Sequence, residues 1–214
     1  MTAELAALTA TLLAVVATVP QLRRVLVAGD AAGVSLTSST LGISTELAWV
    51  AYALASGLWS ALPEGVAMSL ADAALAIGVV RHGVPAARAA VAAVGWLVVL
   101  LGAATLGGLT ALAVLLAGAY AVQVAPAIWT VWRTPSPTGV AAATWSLVGI
   151  EGALWCVYGL HHDDPAITSF GIIAMVAAVA TLARKATTPG APTPADEPAT
   201  RGPDLSTMSR ITVL

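Results

Sequence analysis

Charge is what this chain has least of. Asp, Glu, Lys and Arg make up 9% of its 214 residues, against about 25% in a typical soluble domain. With 58% hydrophobic residues and a mean hydropathy of +0.89, too little polar material is left to cover a water-facing surface. The bilayer is the natural solvent for such a chain. A net charge of −2 and the lack of any long basic run argue against a nucleic-acid partner. The single cysteine, Cys156, excludes an intramolecular disulfide and leaves the redox compartment open. Catalytic signatures are missing as well: no HExxH, GxSxG, P-loop or paired Cys/His spacing occurs. The three histidines fall at loops, and His161-His162-Asp163-Asp164 reads as a solvated loop, since adjacent residues share no face and no distant cluster completes a coordination shell. No enzyme activity, cofactor or metal is expected.

What the chain does have is long apolar runs. A spanning helix needs roughly 20 mostly apolar residues, and seven runs come close, at about 4–26, 39–59, 63–80, 89–106, 109–132, 142–160 and 165–183. The breaks carry the residues that permit or force non-helical backbone: Gly29-Asp30, Leu62-Pro63, the stretch from Arg81 to Arg88, Gly107-Gly108, Pro135-Ser136-Pro137, and His161 to Pro165. Between the fourth and fifth runs nothing charged intervenes, so a tight turn is placed at Gly107-Gly108. The first run has no positive residue ahead of it and continues past Pro20 to Val27, which predicts a retained membrane helix rather than a signal peptide.

Basic residues set the orientation. With the N-terminus outside, Arg23, Arg24, Arg81, Arg88, Arg133, Arg184 and Lys185 all fall on the inner side. Glu4, Glu64, His161, His162, Asp163 and Asp164 fall on the outer. Beyond about residue 186 the chain turns rich in Pro, Thr and acidic residues, a composition too poor in apolar area to offset its ordering entropy. A disordered cytoplasmic tail is expected over 186–214.

Rare residues repeat at one spacing. Pro20 and Pro126, Gly33 and Gly139, Trp49 and Trp155, Tyr52 and Tyr158 are each 106 residues apart, with no gap needed. The chain therefore holds an internal duplication of three helices. Two such units in the same orientation need an inverting helix between them, which the fourth run supplies. The expected architecture is all-α, seven transmembrane helices as 3+1+3: residues 1–83 the first unit, 84–107 the linker helix, 108–185 the second unit. The N-terminus is out and the C-terminus in.

Pro20-Gln21, Gly33, Trp49 and Tyr52, repeated as Pro126, Gly139, Trp155, Tyr158 and Gly159, resemble the PQ-loop superfamily; the 3+1+3 layout resembles its SWEET sugar facilitators, and 154–160 the one-unit SemiSWEETs. The resemblance covers about residues 10–183. It implies passive alternating-access transport of a small solute, mainly mono- and disaccharides, from a pocket between the units near mid-membrane. It further implies that Trp49 and Trp155 line that pocket and that Pro20, with Gln21, and Pro126 act as hinges. The sugar-binding members also use an asparagine in the third helix of each unit. This chain has no asparagine, and Gly65 and Gly171 stand in register at those positions. Gln21 has no counterpart either, since the second unit reads Ala125-Pro126-Ala127.

The residues carry their own argument beside this. Trp49 and Trp155 lie inside their runs, each with a tyrosine three residues on, so Trp49 shares a helix face with Tyr52 and Trp155 with Tyr158. Trp59, near a run end, fits an interfacial belt instead. Glu46 and Glu151 lie within one helical turn before the two tryptophans. A charge at the bilayer centre costs about 2.5–3.5 kcal/mol on insertion scales, so such carboxyls are functional candidates by default. Solute hydrogen bonding and proton coupling are both open to them. Asp72 and Gln123 are further polar candidates inside runs. The partners expected are a small-molecule substrate, a sugar or similar, and the lipid bilayer of a bacterial plasma membrane. Proton-coupled transport of an amino acid or cationic solute through Glu46 and Glu151 is the alternative, a membrane receptor the third reading. Homo-oligomerisation stays open.

Overall fold

The computed structural model describes residues 2–32, 34–134 and 141–187. Gly33, Gly139, the Pro135-Ser136-Pro137 break and the tail from 188 lie outside the described residues. Helices form where the apolar runs were expected and stop at the expected breakers: α1 Ala3–Leu26, α2 Leu36–Ser56, α3 Leu62–Arg81, α4 Ala87–Arg133, α5 Ala142–His161 and α6 Pro165–Ala186. A 3-10 turn, Trp59–Ala61, precedes α3. Thr2, Ser35 and Asp164 cap α1, α2 and α6 by accepting from backbone N–H groups of the first turn. Gly57 ends α2 at φ 72°, and the chain then turns back so that the Leu58 N–H reaches the Ala53 carbonyl. No strand occurs among the described residues.

Six helices stand where seven runs were expected, because α4 takes in both the fourth run and the fifth. Its backbone leaves the helix only at Gly108 (φ 67°, ψ −164°), a region open to glycine. That one residue changes its course. Trp96 and Tyr120 lie equally far on either side of Gly108, and a straight helix would hold them about 36 Å apart. Yet Trp96 Nε1 donates to Thr45 Oγ1 at 2.9 Å, one turn from Trp49 on α2. The Tyr120 ring lies 4.5 Å from Phe170, whose ring is 5.9 Å from that same Trp49. So α4 folds back at Gly108, with limbs 87–107 and 109–133.

The packing order repeats along the chain. α3 lies against both α1 and α2, and α6 lies against both α4 and α5. The duplication also holds at the level of single contacts. A Cβ on Gly65 would meet Val50 Cγ2 at 2.7 Å and the Glu46 carbonyl at 3.2 Å; one on Gly171 would collide with the Gly152 carbonyl and meet Cys156 N at 2.7 Å. Residues 46 and 152, and 50 and 156, are again 106 apart. In each half a glycine of the third helix presses onto the same two positions of the second, the close approach that small residues permit between membrane helices.

The outside of the bundle is apolar, with Leu5, Leu12, Val16, Val91, Val98, Leu106, Val114 and Val179 all exposed. Four helices are long and apolar enough to cross a membrane: Ala3–Leu26, Trp59–Arg81, Ala87–Arg133 and Pro165–Ala186. α2 and α5 fall short, because α2 carries Ser38, Ser39, Thr40, Ser44, Thr45 and Glu46 and α5 carries Thr144, Ser146 and Glu151. These two are the second helices of the two halves, and among their polar groups Ser39, Ser44, Thr45, Glu46 and Glu151 are buried or partly buried. The shared core lies toward one end, where Ala3, Ala7 and Ala10 of α1 meet Tyr52, Leu58, Leu112, Leu116, Trp155, Tyr158 and Ile167. Near the opposite end the buried cluster Leu36, Ala76, Val79 and Ala89 belongs to α2, α3 and the first limb of α4 alone.

Candidate functional site

A cavity of about 50 Å³ opens between the two halves, walled by Glu46, Trp49 and Ala53 of α2, Trp155 of α5, and Ile167 and Phe170 of α6. The two tryptophans are held alike. Trp49 stands edge-on to Tyr52 with centroids 5.8 Å apart and planes at 87°; Trp155 stands edge-on to Tyr158 at 5.7 Å and 85°. Each ring is steadied by the tyrosine of its own helix one turn on, which leaves its other side to the opposite half. Trp49 is partly buried, while Trp155 is 4% exposed.

What each tryptophan meets across the interface differs. Trp49 meets Phe170 of α6 at 5.9 Å. Trp155 meets the carboxyl of Glu64, which also faces Thr11 of α1. Residues 64 and 170 are 106 apart, so a phenylalanine in one half answers a glutamate in the other. The Trp155 indole N–H and the Thr11 hydroxyl are the polar groups that face this buried carboxyl. Glu64 is the residue that sequence reasoning misplaced. It follows Pro63 in the first turn of α3, where an acid reads as an outer-loop residue favoured by the helix dipole. Its side chain turns inward, into electrostatic reach of Glu46 and Glu151. The signal that could have found it is the repeat itself, since its mate Phe170 is the only phenylalanine in the chain.

Of the residues expected at the site, Glu46, Trp49 and Trp155 line the cavity. Glu151 lies beside it, near Glu64 and Tyr120. Asp72 reaches Glu46 electrostatically and its carboxylate lies against Gly42 of α2. Tyr52 and Tyr158 sit behind the tryptophans, both buried. Gly65 and Gly171 are not on the cavity wall; they are the helix contacts described above. Pro20, Gln21 and Pro126 are exposed, with helix continuing through both prolines, and Gln123 is exposed too. None of these four touches the cavity wall.

Polar ties close one end above the cavity. The Tyr52 hydroxyl donates to Asp164 Oδ2 at 2.7 Å, buried, while Asp164 Oδ1 accepts from Ile167 N at 2.8 Å. His162 Nε2 lies 3.0 Å from Glu4 Oε1. The stretch 161–164 is therefore no free solvated loop: Asp164 is 8% exposed and both ties cross between the halves. Tyr158, the mate of Tyr52, is fully buried, with the Ser60 backbone facing its hydroxyl. Among the described residues no group of His, Cys, Asp or Glu is arranged to hold a metal ion. Compared with protein-family models, with curated proteins and with solved structures, the chain matches none.

Proposed function

We propose that this chain is a membrane carrier that moves a small solute through a site between its two halves by alternating access. The observation that carries this reading is the cavity at the interface, walled by the equivalent tryptophans Trp49 and Trp155. A site shared by two like halves can be offered to either side when the halves rock. The burial pattern agrees: among the described residues the halves share a core at the Glu4 end, while the buried cluster near the other end belongs to α2, α3 and the first limb of α4. Counting the two limbs of α4 as separate helices gives seven segments in the order 3+1+3, the layout of the PQ-loop superfamily and its SWEET branch. The basic residues of the helix ends then face the inside of a bacterial plasma membrane, with the N-terminus out. Pro20, with Gln21, and Pro126 are the hinges of this reading. The two halves complete a path within one chain, so a homo-oligomer is not required.

For the solute, the resemblance favours a neutral mono- or disaccharide crossing by facilitated diffusion. A second reading, proton-coupled movement of an amino acid or a cation, is favoured by Glu64 joining Glu46 and Glu151. Counterflow in proteoliposomes with labelled glucose and sucrose at pH 5.5 and 7.5 separates them. Exchange that ignores pH and survives Glu46→Gln and Glu151→Gln supports the facilitator. Exchange that changes with pH and falls in those variants supports the coupled carrier. Absence of exchange of any small solute contradicts both.

A further inference from the structure

Two ties join the halves at the Glu4 end, and they differ in chemistry. Tyr52 and Asp164 are held by a buried hydrogen bond. Glu4 and His162 meet at 3.0 Å with side chains 49% and 29% exposed, so this pair is in contact with solvent. Glu4 lies in the first turn of α1, and His162 follows α5 on the turn into α6. The pair therefore forms only while α1 and α5 are together at this end. Asp163, at φ 50°, bends the chain between His162 and Asp164, so that one turn holds α1 through the first and α2 through the second.

The duplication does not account for the pair. The positions 106 residues away are Thr110 and Ser56, neither of them charged. Contacts behind it run to the cavity. The His162 ring lies 4.5 Å from the Tyr158 ring, Tyr158 stands edge-on to Trp155 at 5.7 Å, and Trp155 lines the cavity.

The charged and titratable groups around His162 are Glu4 from α1, His161 and Tyr158 from α5, and Asp163 and Asp164 on its own turn. Ser60 of the 3-10 turn faces Glu4 from the other side. The buried carboxyl of Glu64 faces Glu46, Glu151, Trp155 and Thr11 instead. Histidine is the side chain whose charge changes between pH 5 and 8. A neutral imidazole donates one hydrogen bond to the carboxylate; an imidazolium donates it and adds the attraction of unlike charges. A proton is therefore bound more tightly while His162 and Glu4 are together than while they are apart, and by linkage acid favours the closed end.

We infer that Glu4 and His162 form a pH-sensitive latch, which holds the Glu4 end shut when the solution on that side is acidic and releases it toward neutrality. What the latch controls rests on the carrier reading: with the N-terminus out, the outside solution sets how often the cavity is offered outward. The proton regulates this opening and is not carried through the site.

Spin labels at Leu5 and Leu160 in a Cys156→Ala background, both exposed, read the opening by pulsed electron resonance in lipid vesicles at pH 5.5 and 7.5. The fraction at the longer distance should be about two- to fivefold smaller at pH 5.5, the range that a partly exposed ion pair supports. Glu4→Gln and His162→Gln should each raise that fraction and erase the difference between the two pH values. His162→Lys, which keeps a positive charge at both, should hold the fraction low at pH 7.5 as well. Equal fractions at the two pH values in the labelled protein with both residues intact overturn the inference. So does a pH difference that survives Glu4→Gln, which would belong to other carboxyls. Solute counterflow on the same samples keeps the two claims apart. Exchange with pH-independent opening leaves the carrier and removes the latch; pH-dependent opening without exchange does the reverse.

Discussion

Glu64 and Phe170 hold equivalent places in the two halves, and each faces the tryptophan of the other half: Phe170 lies 5.9 Å from Trp49, and Glu64 turns its carboxyl to Trp155. Positions 106 apart keep similar backbone contacts and differ in chemistry at this pair. The backbone contacts are those of Gly65 and Gly171, which meet the same two positions of the neighbouring helix. Scaffold and site can therefore be tested separately.

The scaffold test is Gly171→Val. The added atoms would fall on the Gly152 carbonyl and within 2.7 Å of Cys156 N, backbone that cannot move aside. Overpacking of this kind costs about 1–3 kcal/mol. A lower thermal midpoint in detergent is expected, with Gly65→Val behaving likewise. Gly118→Ala is the control, because nothing lies within 4 Å of a Cβ there. It should hold or raise the midpoint, as glycine is about 1 kcal/mol worse than alanine inside a helix.

The turn in α4 depends on one residue. At φ 67° and ψ −164°, Gly108 occupies backbone space nearly closed to other residues. Gly108→Ala should cost about 1–3 kcal/mol, seen as a lower melting midpoint, whereas Gly102→Ala, with open space at its Cβ, should not.

The two tyrosines should respond unequally although they are equivalent by repeat. Tyr52→Phe leaves Asp164 Oδ2 buried without its 2.7 Å donor, a loss of about 1–3 kcal/mol. It should destabilise closure at the Glu4 end, read as faster maleimide labelling of a cysteine placed at Ala166 in a Cys156→Ala background. Tyr158→Phe removes a hydroxyl that takes no part in that tie and should leave the labelling unchanged. Equal effects would mean that the tie at Asp164 does not hold the halves together.

Trp155 is both buried and on the cavity wall, so Trp155→Ala removes packing as well as contact. The expected outcome is loss of solute exchange with protein still in the membrane. Trp155→Phe, which keeps the apolar ring and deletes the N–H, should retain the fold and lower exchange about two- to tenfold, the worth of a hydrogen bond of about 0.5–1.5 kcal/mol. Full exchange by Trp155→Phe would remove the N–H from solute binding.

The helices, their breaks and the duplication were legible in the sequence because each rests on local residue chemistry: long apolar runs, Gly and Pro between them, and rare Pro, Trp and Tyr in one register. Trp49, Glu46 and Trp155 were legible for the same reason, as aromatic and acidic groups well inside apolar runs. The inward turn of Glu64 was not, because an acid in the first turn of a helix has a sufficient local explanation, and only packing decides which way its side chain points. Asp164 was hidden in the same way among His161, His162 and Asp163. Gly65 and Gly171 were expected at the solute because register placed them there; close packing between helices, a property of pairs of helices, claimed them instead. The turn expected at Gly107-Gly108 rested on glycine chemistry in the same way, and the backbone leaves the helix at Gly108.

The central claim is that the halves open alternately around the Trp49–Trp155 cavity, and distances between them test it most directly. Spin labels in a Cys156→Ala background at Leu5 and Leu160 report the Glu4 end, and labels at Val27 and Ala143 report the opposite end; all four positions are exposed. Measured by pulsed electron resonance in lipid vesicles, each pair should give a shorter and a longer distance. The long fraction at one end should rise as it falls at the other when solute is added. A single unchanging distance at both ends would show a rigid bundle and contradict the account.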